Sequence, residues 1–333
     1  LDTSDFRKPT YLSPSALACW EKSPDEYFNR YVIPSDVRPP RPPQTDPMSV
    51  GSAFDALVKN RINVDLNGYW VTKESEYALC DLIRTQCEEH TLPESLVIAC
   101  DLFEQYVECN AYGALLETIR AATIVPRMEF TVRAEISGVP LLGKPDLHFN
   151  TAKFCEVITD WKVSGSVSKR GVSPQQGYMI CKDIHGSRSN GESHKRFQPS
   201  LHESGLIVNG WKMNESTDYW ADQLTTYAWA LGHAVGDESW VARIEQIACR
   251  PAPATATDDR LRAKCVVHQS TVDRDYQYNL IERYQRCWSH VEKGHYWPEL
   301  SLTESQARGN LIVHQLRNPV TLLTEDTLPE IQW

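Results

Sequence analysis

The sequence predicts an α/β (α+β) chain, a sheet flanked by helices with a helical N-terminal part, and three observations carry that prediction. Apolar residues up to about residue 122 recur at helical spacing. At residue 128 the period switches to two and short turns appear. From about residue 216 a helix, two strands and a long helix follow in turn.

The first helix opens in YLSPSALACWEKSPDEYFNRYV, with Ser13 as cap, Pro14 in the first turn and Pro24 breaking it in two. Leu17, Trp20, Tyr27, Phe28 and Tyr31 are its expected buried side. PSDVRPPRPPQTDP is too rich in proline for helix and too polar for core. A helix restarts around Ser52 in MSVGSAFDALVKNRI, and helical periodicity returns between 74 and 122. MEFTVRAEI, LLGKPDLHF and FCEVITDWKV then read as three strands of an antiparallel meander. Residues 164–210 read as a basic loop rich in Gly and Ser. STDYWADQLTTYAWALGHAVG is a helix capped near Ser216 or Thr217, ARIEQIACRP and RAKCVVHQS are strands, and TVDRDYQYNLIERYQRCWSHVEKG is an amphipathic helix. The last 35 or so residues fit no single element. The expected division is a helical part over 1–124, a core over 125–300 and a tail over 301–333.

Composition bounds the function. The chain has 333 residues, 41% of them hydrophobic and 23% charged, which is globular and not disordered usage. No apolar run approaches the ~18 residues of a membrane span, so no membrane role is expected. Ten cysteines without a CxxC pair, several in apolar contexts, predict reduced thiols and a cytoplasmic setting. A phosphate-binding loop of the G-x-x-x-x-G-K-[ST] type and a G-x-S-x-G elbow are both missing from the sequence. Net charge is −10, yet residues 162–200 carry seven Lys/Arg against two acids. A basic stretch inside an acidic chain is the footprint of phosphate-backbone contact, or else an ordinary solvated loop.

The stretch EVITDWKV places Asp160 and Lys162 two residues apart on a strand, so both project from one side. Alone, the pair also suits a half-exposed strand with an ion pair worth ~0–1 kcal/mol. Asp146, in GKPDL, shares an alternation with Lys144 and His148, and a turn at 150–153 folds the next strand back beside it. Asp146 and Asp160 then face each other, and two such carboxylates repel unless a cation lies between them. Mg²⁺ suits that arrangement because it is held by few carboxylates and keeps several waters. Carboxylates, a hard metal and a lysine are what phosphoryl chemistry requires. Glu129 reads as an exposed strand glutamate that has the reach to join the metal shell, and His148 as a structural histidine.

These residues also carry a resemblance. PD at 145–146, thirteen intervening residues and DWK at 160–162 resemble the PD-(D/E)XK nuclease signature. Gln223 and Tyr227, at i and i+4 in QLTTY, resemble the QxxxY motif of its RecB-like branch, which includes recombination exonucleases and CRISPR-adaptation nucleases. The helix at LSPSALACWEKSPDEYFNRYV and the segment GSAFDAL are similar to that branch's opening helix and its GxxxH helix. The likeness runs from about residue 10 to 231.

It implies a restriction-endonuclease-like mixed sheet flanked by helices, and a metal-dependent DNA nuclease, foremost an exonuclease of recombination, repair or phage DNA metabolism. The implied catalytic residues are Asp146, Asp160, Lys162, Gln223 and Tyr227. The implied ligands of Mg²⁺ or Mn²⁺ are Asp55, Asp146, Asp160 and the carbonyl of Trp161, whose ring is expected in the core away from the site. DNA is the implied partner, with room for a recombination or repair protein and a homo-oligomer. The chain departs from the pattern twice. Asp55 stands where the family has a histidine, and no cysteine follows Cys287, so no iron–sulfur cluster is expected. The competing expectation is a nuclease fold kept for binding DNA or protein, its metal site decayed at Asp55.

Overall fold

The computed structural model describes residues 6–35, 37–38, 43–66, 78–87, 92–153, 155–165, 203–208, 211–214, 218–250, 252, 256–258 and 260–318. Two compact units emerge. One comprises Leu1–Arg41, Glu135–Leu141 and Ile281–Trp333, the other Pro42–Ala134 and Leu142–Leu280.

In the first unit, α1 (Pro14–Lys22) begins where Ser13 Oγ accepts from the Ala16 amide at 3.2 Å. Pro24 ends its continuity, as the sequence predicts, and opens α2 (Pro24–Tyr27), which runs into a π-helical turn at Phe28–Val32. Leu17, Trp20, Tyr27 and Phe28 are buried, and Tyr31 is half-buried. Phe28 stacks on Trp297, with ring centres 5.0 Å apart. The expected tail is an ordered helix over much of its length, α9 (Leu302–Arg317). Ser301 and Glu304 close a reciprocal capping box at its start, a signal readable in the sequence as S-x-x-E.

The second unit holds the large sheet. Its helices are α3 (Asp46–Asp65), α4 (Leu79–Gln86), α5 (Leu92–Glu108), α6 (Ala111–Arg120) and α7 (Asp218–Leu231), and α8 (Arg274–Glu292) starts in it. Among the described residues the strands are β1 (Arg127–Met128), β2 (Val132–Ile136), β3 (Val139–Gly143), β4 (Leu147–Thr151), β5 (Cys155–Gly165), β6 (Glu203–Val208), β7 (Trp211–Asn214), β8 (Trp240–Arg250) and β9 (Arg262–Val272). Seven of them form one mixed sheet in the order β1-β4-β5-β8-β9-β6-β7, and β2 pairs with β3 separately. β5 and β8 are parallel, and every other ladder of the large sheet is antiparallel. The chain is therefore mixed α/β, of α+β character.

Alternation along β5 serves two cores. Val157 and Trp161 pack with Phe54, Leu102, Tyr106 and Leu115 of α3, α5 and α6. Ile158 packs on the other side with Leu224 and Ala228 of α7. That burial corrects the expected boundary at 124/125. The helices of 42–124 bury their apolar faces on the sheet, so they share its unit.

The simple meander is corrected too. MEFTVRAEI breaks at Glu129, whose φ of 50° lies in the left-handed region, leaving β1 and β2 in different sheets. LLGKPDLHF breaks at Lys144–Asp146, because Pro145 has no N–H to give a ladder. The basic loop of 164–210 contains β6, and β5 extends to Gly165; residues 166–202 and 209–210 lie outside the described residues, as do Ser216 and Thr217. No helix among the described residues is long and apolar enough to cross a membrane. The eight cysteines whose side chains are described are all free.

Candidate metal centre

The two breaks that divide the expected meander build the site. β4 pairs with β5 only as far as Leu147 opposite Thr159, so the β4 side of β5 is open from Asp160 onward. Asp146 sits in the bend just before β4, and its carbonyl accepts from the Glu129 amide at 3.3 Å. The left-handed backbone at Glu129 and the proline before Asp146 thus bring two acids to the open edge.

Asp146 and Asp160 face each other closely enough for the charge of one to act on the other, the arrangement the sequence predicts and one in which two carboxylates repel. Burial pushes Asp160 up to about 7; the Lys162 charge opposes this and the Asp146 charge adds to it. For Asp146 burial works in the same upward sense, but Lys59 and Lys162 outweigh it and hold its pKa below the usual range.

On the α7 side the expected pair joins in. Lys162 Nζ lies 2.6 Å from Asp160 Oδ2 and donates to Gln223 Oε1 at 2.7 Å. Gln223 Nε2 donates to Asp160 Oδ1 at 3.1 Å and to the Tyr227 hydroxyl at 2.8 Å. Gln223 is the hub because its amide both donates and accepts. The Tyr227 ring leaves no room for a side chain at residue 143, where a Cβ on Gly143 would come within 2.8 Å of it. Burial by itself lowers the Lys162 pKa, but the Asp160 charge and hydrogen bond more than reverse this and raise it.

On the other side stands a residue the sequence reading missed. Lys59 of α3 is fully buried, and its ammonium contacts Asp55 and Glu129 and lies 3.3 Å from Asp146 Oδ1. Asp55, Glu129 and Asp146 offer oxygens that all lie within 4.8 Å of one another. Glu129 is thus a member of the site and not an exposed strand residue; its side chain is 16% exposed and also meets Lys144. Burial pushes Asp55 up to about 7, opposed by Lys59 and aided by Asp146 and Glu129. The Trp161 ring is in the core, as expected, but its centre lies 5.8 Å from the Lys59 ammonium, close to the site and not away from it.

Gly51, Asp55 and Lys59 are spaced i, i+4 and i+8 along α3, one face of the helix. Gly51 and Asp55 line a cleft of about 580 Å³ with Met48, Glu129, Lys144 and Lys162. The i, i+4 acid–lysine spacing was visible in the sequence, although nothing local distinguished it from a surface pair.

The donor set fits a hard divalent cation. Every side-chain donor is a carboxylate oxygen. Asp55 Oδ1 is buried and has no hydrogen-bond partner. Six of the seven basic residues of 162–200, all but Lys162, lie outside the described residues.

No family model and no curated protein matches the chain. Among solved structures it is similar to one described as the crystal structure of SSO0001, at 12% identity and a TM-score of 0.24 over 70% of this chain and 74% of that one.

Proposed function

We propose that the chain is a metal-dependent DNA nuclease of the RecB-like PD-(D/E)XK kind, with a restriction-endonuclease-like core and an exonuclease activity in recombination, repair or phage DNA metabolism. The observation that carries the reading is Asp146 facing Asp160, with Lys162 2.6 Å from Asp160, at an open strand edge beside a cleft. Asp146, Asp160 and the Trp161 carbonyl hold Mg²⁺ or Mn²⁺ in this reading, and Asp55 and Glu129 complete the acidic cluster. A divalent ion there supplies charge neutralisation for a phosphate and a water of lowered pKa. Lys162 steadies the phosphate oxygens, and Gln223, held by Tyr227, fixes the direction of the ammonium. The proposed partner is DNA, and the proposed setting is the cytoplasm of a prokaryotic or phage-infected cell.

One observation favours a second reading. Lys59 supplies the acidic cluster with a cation of its own, as a non-catalytic module with a decayed metal site would need. End-labelled single- and double-stranded DNA, incubated with Mg²⁺, Mn²⁺ or EDTA, separates the two. Mononucleotide release with either metal and none in EDTA is the expected result. Intact DNA in all three would leave the binding module as the better account.

The cleft makes a second test. A Cβ on Gly51 meets nothing within 4 Å, so a side chain there starts in open space, and Gly51→Leu replaces the poorer helix former. The added side chain fills the cleft above Asp55. Melting temperature should hold or rise, while cleavage falls by about tenfold or more, the scale of ~1.4 kcal/mol in the barrier. Unchanged cleavage by a stable variant would place the DNA elsewhere.

A further inference from the structure

We infer that the Lys59 ammonium is a built-in cation that takes the place of one of two divalent ions, so that a single ion binds, at Asp146 and Asp160. The inference rests on the metal-dependent reading above and assigns Asp55 and Glu129 a different task within it: they hold Lys59.

The geometry is that of a filled site. An ammonium has three donors, and here three carboxylates meet it, from Asp55, Glu129 and Asp146. They are the same three residues whose oxygens converge within 4.8 Å. The Lys59 side chain is 0% exposed, so its charge is compensated by these groups and not by water. The Trp161 ring adds its face at 5.8 Å. A divalent ion entering among the three acids would have to displace a cation that is already hydrogen-bonded on every donor. Asp146 is shared: one side meets Lys59, and the other meets Asp160 at the open edge of β5. The edge pair is where a cation is still wanted, because β4 leaves β5 open there and Lys162 reaches Asp160.

The number of ions bound tests this directly. Native mass spectrometry and calorimetric titration of the full chain with Mn²⁺ should give one ion per chain for the wild type. Lys59→Met keeps the length and removes the charge, and should give two. Its melting temperature in EDTA should drop, and Mn²⁺ should restore it by a larger shift than in the wild type. Since that variant leaves three half-buried acids together without their lysine, Asp55→Asn serves beside it if folding fails. It should keep one Mn²⁺ with affinity within about twofold, whereas loss of a true ligand weakens binding by at least about tenfold.

Two ions in the wild type, or one in both the wild type and Lys59→Met, overturns the inference. So does a tenfold weaker Asp55→Asn. No ion in the wild type but one in Lys59→Met keeps Lys59 as the occupant and sinks the metal-dependent reading instead. No ion in either overturns both.

Discussion

Asp160→Asn is expected to lower Mn²⁺-dependent DNA cleavage by at least about 100-fold, the scale of one lost transition-state-stabilising group, while the metal-free chain stays folded. Both halves follow from the surroundings of one carboxyl. Asp160 is 1% exposed, and burial brings its pKa up to about 7, so near neutral pH much of it is already uncharged without metal. Asparagine has the shape of that neutral acid. Its oxygen can accept from Gln223 Nε2 as Asp160 Oδ1 does, while its amide nitrogen takes the place of Oδ2 and gives up the contact with Lys162. Lys162 keeps Gln223 Oε1 as an acceptor. What the amide cannot supply is the anion that balances a divalent ion at the open edge. Cleavage assays should be paired with melting in EDTA near pH 5, where the variant should lie within a few degrees of the wild type. Wild-type-like cleavage would refute the assignment of Asp160. Loss of cleavage together with collapse of the fold would reduce it to a structural acid.

How much of this was legible in the sequence depends on how far apart the cooperating residues lie. The alternation along EVITDWKV put Asp160 and Lys162 on one side, and both meet Gln223. The i, i+4 spacing of Gln223 and Tyr227 likewise carried into a hydrogen bond. These are short-range periodicities, which the backbone enforces. The breaks at Glu129 and Pro145 were harder, because each strand pattern looked continuous through them. Pro145 was the available warning, since proline inside a run argues against a paired strand. β6 and β7 were missed in the expected loop, although Asn209-Gly210 between two apolar runs is a two-residue hairpin signal. Lys59 was not. A lysine four residues after an aspartate on a helix is ordinarily a surface pair. Only the folding of β1 and β4 against α3 brings Glu129 and Asp146 to it. The site is therefore half local pattern and half tertiary consequence, and the half that chooses the cation is the tertiary one.

That same burial sets a pH dependence whose sign can be worked out. Asp55 and Asp160 are both pushed up to about 7, against about 3.9 for an unperturbed aspartate. Between those values the native chain binds more protons than the unfolded one, so stability falls as pH rises. The stabilisation from each group is complete below about pH 3.9 and is lost as pH passes through 7. His268 acts in the opposite direction. Burial lowers it to about 4, so the stabilisation it contributes is present above its unperturbed value of roughly 6.5 and lost as pH falls toward 4. A melting curve of the wild type alone mixes these signs, whereas its difference from Asp160→Asn removes the His268 contribution. In EDTA the two chains should melt together near pH 5. By pH 8 the variant should be the more stable, by an amount on the order of a few kcal/mol, because the wild type must ionise a buried acid there. Mn²⁺ should reverse the difference at pH 8, since it stabilises the ionised pair in the wild type and has lost a ligand in the variant. A difference that stays flat from pH 5 to 8 in EDTA would mean that Asp160 is ionised throughout, and its raised pKa would have to be abandoned.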